Sequence, residues 1–192
     1  MDITGVVEDA LDLATPPPID FGDIVTDNDN GTIGLTDAGT NPLDNSSVST
    51  PGFYDLILNN DENLTLAPGT YIFDDIVMHG TSSLTLTGPT TIYLDDDLEM
   101  EGGTVINTTQ NPADLTIIAD GDWDGSNIKL TGNAEFYGSI LAPNSAIQLT
   151  GNADFYGAII GRTVDFGGTF AFHLDESLPI VSQMKDRVAL VR

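Results

Sequence analysis

The chain has no cysteine, which excludes disulfides and thiolate metal sites and leaves its redox compartment open. Positive charge is almost as scarce. Thirty acidic residues face five basic ones, for a net charge of −25. Those five are Lys129, Arg162, Lys185, Arg187 and Arg192, so the first 128 residues hold no Lys or Arg. Such a surface repels phosphate backbones and anionic lipid, which excludes nucleic acid as a partner and disfavours membrane adhesion. No apolar run approaches the ~20 residues of a membrane helix. Met1-Asp-Ile-Thr lacks the basic start and apolar middle of a signal peptide, so an exported parent would have lost its targeting segment. Strong acidity fits high salt, divalent cations or plain colloidal solubility.

What is present is repetition. Ile128-Lys-Leu-Thr-Gly-Asn-Ala-Glu-Phe-Tyr-Gly-Ser-Ile140 returns as Ile147-Gln-Leu-Thr-Gly-Asn-Ala-Asp-Phe-Tyr-Gly-Ala-Ile159. A unit this small cannot bury a core alone and must stack on copies of itself. Degenerate copies of its first half stand at Ile76–Thr81, Leu98–Gly103 and Val164–Thr169. Side chains alternate across a strand. The expected inward pairs are therefore Ile76/Met78, Leu98/Met100, Ile128/Leu130, Ile147/Leu149 and Val164/Phe166, and the outward column is Val77, Glu99, Lys129, Gln148 and Asp165. The glycine after each strand marks a corner of positive φ or close approach. Asn133 and Asn152 are expected to form an amide ladder in left-handed conformation. Phe136/Phe155 and Tyr137/Tyr156 are expected to stack, with His173 near the tyrosine column.

The expected fold is an all-β parallel β-solenoid, a single-stranded β-helix of six or seven coils, with short terminal helices as caps. Residues 1–18 read as a helix and a proline stop, 19–52 as an acidic loop-rich segment, 53–175 as the solenoid and 176–192 as a C-terminal capping helix. Val7, Ala10, Leu11 and Ala14 form one apolar stripe near the start, and Ile180, Met184 and Val188 form another near the end. Open solenoid ends pair with other chains unless capped, so end-to-end assembly into a filament is the second reading.

Asp120-Gly-Asp-Trp-Asp-Gly125 has the alternating carboxylates and turn glycine of calcium loops. Asp120, Asp122 and Asp124 are the candidate ligands, although Thr131 stands where a helix–loop–helix site would place its bidentate Glu. Asp27 and Asp29, in Asp27-Asn-Asp-Asn-Gly31, form a weaker version. An acidic solvated turn is the competing reading at both places. His79 and His173 lack the spacing of a metal pair. Asp95–Asp97 reads as a turn between coils.

No Gly-x-Ser-x-Gly elbow, cysteine nucleophile or phosphate loop is present. A glycan hydrolase needs only two carboxylates at a set separation, which thirty acids make uninformative. The expectation is no enzyme and no catalytic residue. A carbohydrate-active β-helix enzyme, or an ice-binding surface suggested by Thr85-Leu-Thr87 and Thr90-Thr91, stands as the lesser alternative.

The doubled Leu-Thr-Gly-Asn-Ala-(Glu/Asp)-Phe-Tyr-Gly block, Leu141-Ala-Pro-Asn144 between its copies, Asn59–Tyr71, Gly88–Tyr93 and Phe172-His-Leu-Asp-Glu176 resemble a known module. It is the C-terminal β-solenoid region of PilX-type pilus assembly proteins, minor-pilin-like components of type IV pili. The similarity covers about 53–176. It implies an extracellular, bacterial cell-surface role in pilus assembly or attachment. The implied partners are other pilus or surface proteins, further copies of the chain, or glycans. The chain departs from that pattern in lacking the apolar anchoring helix and in placing Leu174 where the family has Tyr.

Overall fold

The computed structural model describes residues 21, 24–46, 53–119 and 127–178. The expected terminal helices at 1–18 and within 176–192, from residue 179 onward, lie outside them. The fold is an all-β parallel solenoid of about 6 turns. After β1 (Leu43–Asp44), each full coil contributes three strands to three stacked faces.

The first face stacks β2 (Asp55–Leu58), β5 (Ile76–Met78), β8 (Leu98–Met100), β11 (Asn127–Leu130) and the later halves of two long strands, β12 (Glu135–Gly151) and β13 (Asp154–Gly168). The second stacks β3 (Asn63–Leu66), β6 (Ser83–Leu86), β9 (Val105–Ile106), the starts of β12 and β13, and β14 (Ala171–Leu174). The third stacks β4 (Gly69–Phe73), β7 (Thr90–Leu94), β10 (Leu115–Ala119) and the middles of β12 and β13. Every pairing is parallel except β1 on β2.

Period-2 alternation sets which residues enter the core. The outward column runs Val77, Glu99, Lys129, Gln148, Asp165, as the repeats predict, and Ile57 extends it by one coil. The matching inward residues from Leu56 and Leu58 to Ile147 and Leu149 are fully buried. Inside, side-chain size changes along each face. On the third face the inward column shrinks along the chain from Phe73 through Leu94, Ala119 and Ala142 to Gly161. On the second it grows from Leu64 and Leu84 through Ile106 to Phe136 and Phe155. The growth on the second face offsets only a small part of the loss on the third, so the named columns fill less space in the later coils.

The corners obey a second rule. Gly80, Gly102, Gly132, Gly151 and Gly168 all have positive φ and occupy one column. A Cβ on Gly132 would sit 2.7 Å from the Gly102 carbonyl oxygen. The glycines, and not Asn133 and Asn152, carry the left-handed conformation. The asparagines follow them and do form a ladder, Asn152 Nδ2 donating to Asn133 Oδ1 at 3.3 Å. Backbone strain falls on the residue without a Cβ because a side chain there would meet the previous coil.

Residues 24–46, expected as loop with one or two short strands, form a cap. β1 and the Pro42 carbonyl, which accepts from Ile57 N–H at 2.8 Å, close the first face. Asp37 closes the second, its Oδ1 accepting from Asn63 N–H at 2.8 Å and its N–H donating to Asn63 O at 3.0 Å. Asp29 and Asn30 close the third. Asp29 Oδ2 accepts from Thr70 N–H at 2.8 Å, and the Asn30 carboxamide both donates to Ile72 O and accepts from Ile72 N–H. Side chains thus stand in for the missing neighbouring strand and satisfy an edge that would otherwise recruit another chain.

Replacing Gly132 with Ala is expected to cost at least about 1–2 kcal/mol, the left-handed penalty of a residue with Cβ, plus the contact with Gly102. Thermal melting followed by circular dichroism checks this, with Asn152→Ala as a mild control; equal melting of Gly132→Ala and the parent would contradict the corner geometry.

Candidate functional site

The strongest concentration of chemistry lies where the third face turns into the first. Phe73, Leu94 and Ala119 are paired in register, so the residues that follow them fall at one corner. These are Asp74-Asp75 and Asp95-Asp-Asp97. Asp120 follows Ala119 in sequence, but Asp120, Asp122 and Asp124 lie outside the described residues. The corner is pinned by its backbone. Asp95 N–H donates to Phe73 O at 3.0 Å, Asp96 N–H to Asp74 O at 2.9 Å, and Asp97 N–H to Asp75 Oδ1 at 2.9 Å. Asp55, buried at the start of β2, adds a further carboxylate beside it.

Stacking in register forces like charges together. Burial first, and then the carboxylates of Asp75, Asp95, Asp55 and Asp96, push the Asp74 pKa up to about 6. Asp75 is raised for the same reason, burial being the largest cause. Strongly perturbed acids are a mark of functional sites, and also of structural charge clusters. Among the described residues, no group of three or more His, Cys, Asp and Glu side chains is arranged to hold a metal ion.

The weaker candidate pair is separated. Asp27 is exposed, whereas the Asp29 carboxylate serves the cap through Thr70. His79 Nδ1 lies 3.4 Å from Glu101 Oε2 with both side chains substantially exposed, a geometry worth little energetically. His173 stacks on Tyr156 at 4.3 Å, and Tyr156 on Tyr137 at 4.6 Å, as the repeat predicts. Phe136 and Phe155 stack at 4.7 Å. Rings stacked face to face spend the surfaces with which a sugar platform would bind. Tyr137 donates to Glu135 Oε2 at 3.1 Å, and burial with that bond pushes its pKa up to about 12. These ladders are structural.

A shallow cleft of about 370 Å³ opens in the cap, between Asn30, Asn41, Asn45 and Tyr54. No charged residue lines it. The Asn30 carboxamide is committed to Ile72 and that of Asn41 to Leu43, which leaves Asn45 and Tyr54 to meet a ligand.

The periodic reading missed two features. One is the depth of the Asp74–Asp97 corner, which needs the register of the third face. The other is an outward column of Thr70, Thr91, Thr116 and Ser139 beside Ile72, Tyr93, Ile118 and Leu141. The threonines were visible, but their alignment was not, because Thr-Tyr-Ile-Phe, Thr-Ile-Tyr-Leu and Thr-Ile-Ile-Ala share few letters. Part of this face is covered: Ile72 is fully buried beneath Phe21 and Phe53.

Residues 23–180 match the family described as a domain of unknown function, DUF7305, and the chain belongs to that family. No curated protein and no solved structure matches the chain. Among the described residues no helix is long and apolar enough to cross a membrane.

The pH dependence of stability follows from the corner and the cap. A carboxyl whose folded pKa is about 6 against an ordinary 3.8 favours folding more as pH falls through 6, with the gain complete below 3.8. Asp37 and Glu62 are held low by hydrogen bonds from Asn63 and Thr40 respectively, so their contribution is lost under more acidic conditions. The melting temperature is expected to rise from pH 8 to about pH 5 and fall below pH 4. Asp74→Asn should flatten the upper limb; an unchanged limb in that variant would remove Asp74 as its source.

Proposed function

We propose, from its geometry and from the resemblance of residues 53–176 noted above, that the domain is a structural and adhesive rod of a pilus-associated protein on a bacterial surface. One observation carries the reading: the strongly constrained residues build the rod itself. The inward residues from Leu56 to Leu149 are buried, the corner glycines are fixed by contact with the coil before, and the aromatic ladders are spent on each other. The resemblance of residues 53–176 to the solenoid of PilX-type pilus proteins supports the same role. Its partners on this reading are neighbouring pilus or surface proteins, and no catalytic residue is assigned.

Calcium is the proposed stabiliser. Asp120, Asp122 and Asp124 carry the loop pattern, and Asp120 comes next in sequence after the strand that precedes the crowded corner. A divalent cation there would relieve repulsion among carboxylates that otherwise take up protons. End-to-end assembly needs a free first coil, and the bonds made by Asp29, Asn30 and Asp37 occupy that edge. This weighs for a subunit borne by other proteins and against a head-to-tail filament of this domain.

Deleting residues 53–175 from the parent protein in its bacterium is the direct test. Fewer pili, or weaker attachment, with the remaining protein still exported would support the role; unchanged piliation and attachment would end it. For the cation, titration calorimetry at pH 7.5 should give saturable calcium binding and a raised melting temperature that chelator reverses. Asp122→Asn should abolish both. An absence of heat with the parent chain would eliminate the site.

A further inference from the structure

The two ends of the solenoid are treated differently. Residues 24–46 satisfy all three faces of the first coil. At the far end β14 covers only Asp154–Gly157 of β13, and no other strand lies outside β13 among the described residues. There the interior columns surface. Phe166, the last member of the Met78–Met100–Leu130–Leu149 column, is 56% exposed, while Phe172 is 39% and Leu174 52% exposed. Phe170 packs against Phe166, with ring centroids 5.2 Å apart. Three large apolar side chains at one end of an otherwise sealed core form the kind of patch that soluble proteins cover.

We propose that residues 179–192 of the same chain fold back across this end and cover Phe166, Phe172 and Leu174, closing it in cis. The tail begins at the right place. Asp175 N–H continues the ladder to Gly157 O at 3.0 Å, Asp175 Oδ1 then accepts from Ser177 N–H at 2.9 Å, and the turn seats Leu178, 3% exposed, against Ala158. The next residue therefore starts at the rim. Fourteen residues reach roughly 21 Å as a helix, against roughly 10–17 Å for the three- to five-residue strands that bound a coil.

Composition fits as well. The tail offers Ile180, Met184, Val188 and Val191 on one helical stripe. It also holds Lys185, Arg187 and Arg192, three of the five basic residues in the chain. The rim it would cross carries Asp154, Asp165, Asp175 and Glu176. A second copy is the poorer occupant, because it would bring two chains of net charge −25 together. The tethered tail is present at the millimolar effective concentration of a short linker.

The absence of native cysteine makes the test clean. Ala189→Cys, off the apolar stripe, carries a nitroxide on the full chain, and amide signals are read by NMR. Strong broadening at 163–174, absent at 24–46 and reversed by ascorbate, is expected. Met184→Asp in the labelled chain should abolish it. Three results would overturn the proposal: no broadening at 163–174, broadening centred instead on Ile118 and Leu141, or broadening that Met184→Asp leaves intact. Mixing labelled chains with unlabelled, isotope-enriched chains separates the copies, and broadening in the enriched chain would assign the patch to a partner copy and overturn the cis closure.

Discussion

Every residue in this solenoid rests on its own counterpart one coil away, at the ~4.8 Å spacing of neighbouring parallel strands. The rest of the structure depends on that constraint. It makes each column a test of self-compatibility: Leu on Leu, Phe on Phe, Tyr on Tyr and Asn on Asn all pass. Glycine on glycine passes where the corner backbone nearly touches the preceding carbonyl. Carboxylate on carboxylate fails electrostatically, and its cost adds to that of burial, the larger cause, in the raised pKa values of Asp74 and Asp75. The acidic corner is thus a by-product of the same register that builds the core, and a place where bound protons or cations would change stability most.

The constraint also explains the closed end. A strand stack has no natural terminus, because its last edge looks like every earlier one. Asp29, Asn30 and Asp37 supply carboxylate and carboxamide groups where a further strand would supply peptide groups. They end the series without adding another edge. This gives Asp29 a structural duty within a segment whose spacing had suggested a cation loop.

Much of this was legible in the residues. Two near-identical copies set the register of β12 and β13, and the glycine-ended motif extended it to Ile76, Leu98 and Val164, so the first face could be laid out by alternation alone. The third face was not legible. Its strands share no motif, and in-register pairing of Thr70, Thr91 and Thr116 follows only once the first face has fixed the coil lengths. The cap was hidden for a different reason. Its bonds join residues about forty positions apart through side chains that, read locally, signal only turns.

The near-identity of the coils at 128–140 and 147–159 bears on heredity. A coil inserted between two others meets only surfaces like its own, and it leaves the capped first coil and the apolar last coil as they were. Copying nineteen residues would lengthen the rod by one spacing and alter nothing at either tip. Reach and attachment are therefore separable traits in such a chain: duplication can set how far the domain stands from its base, while substitution at the ends sets what it touches.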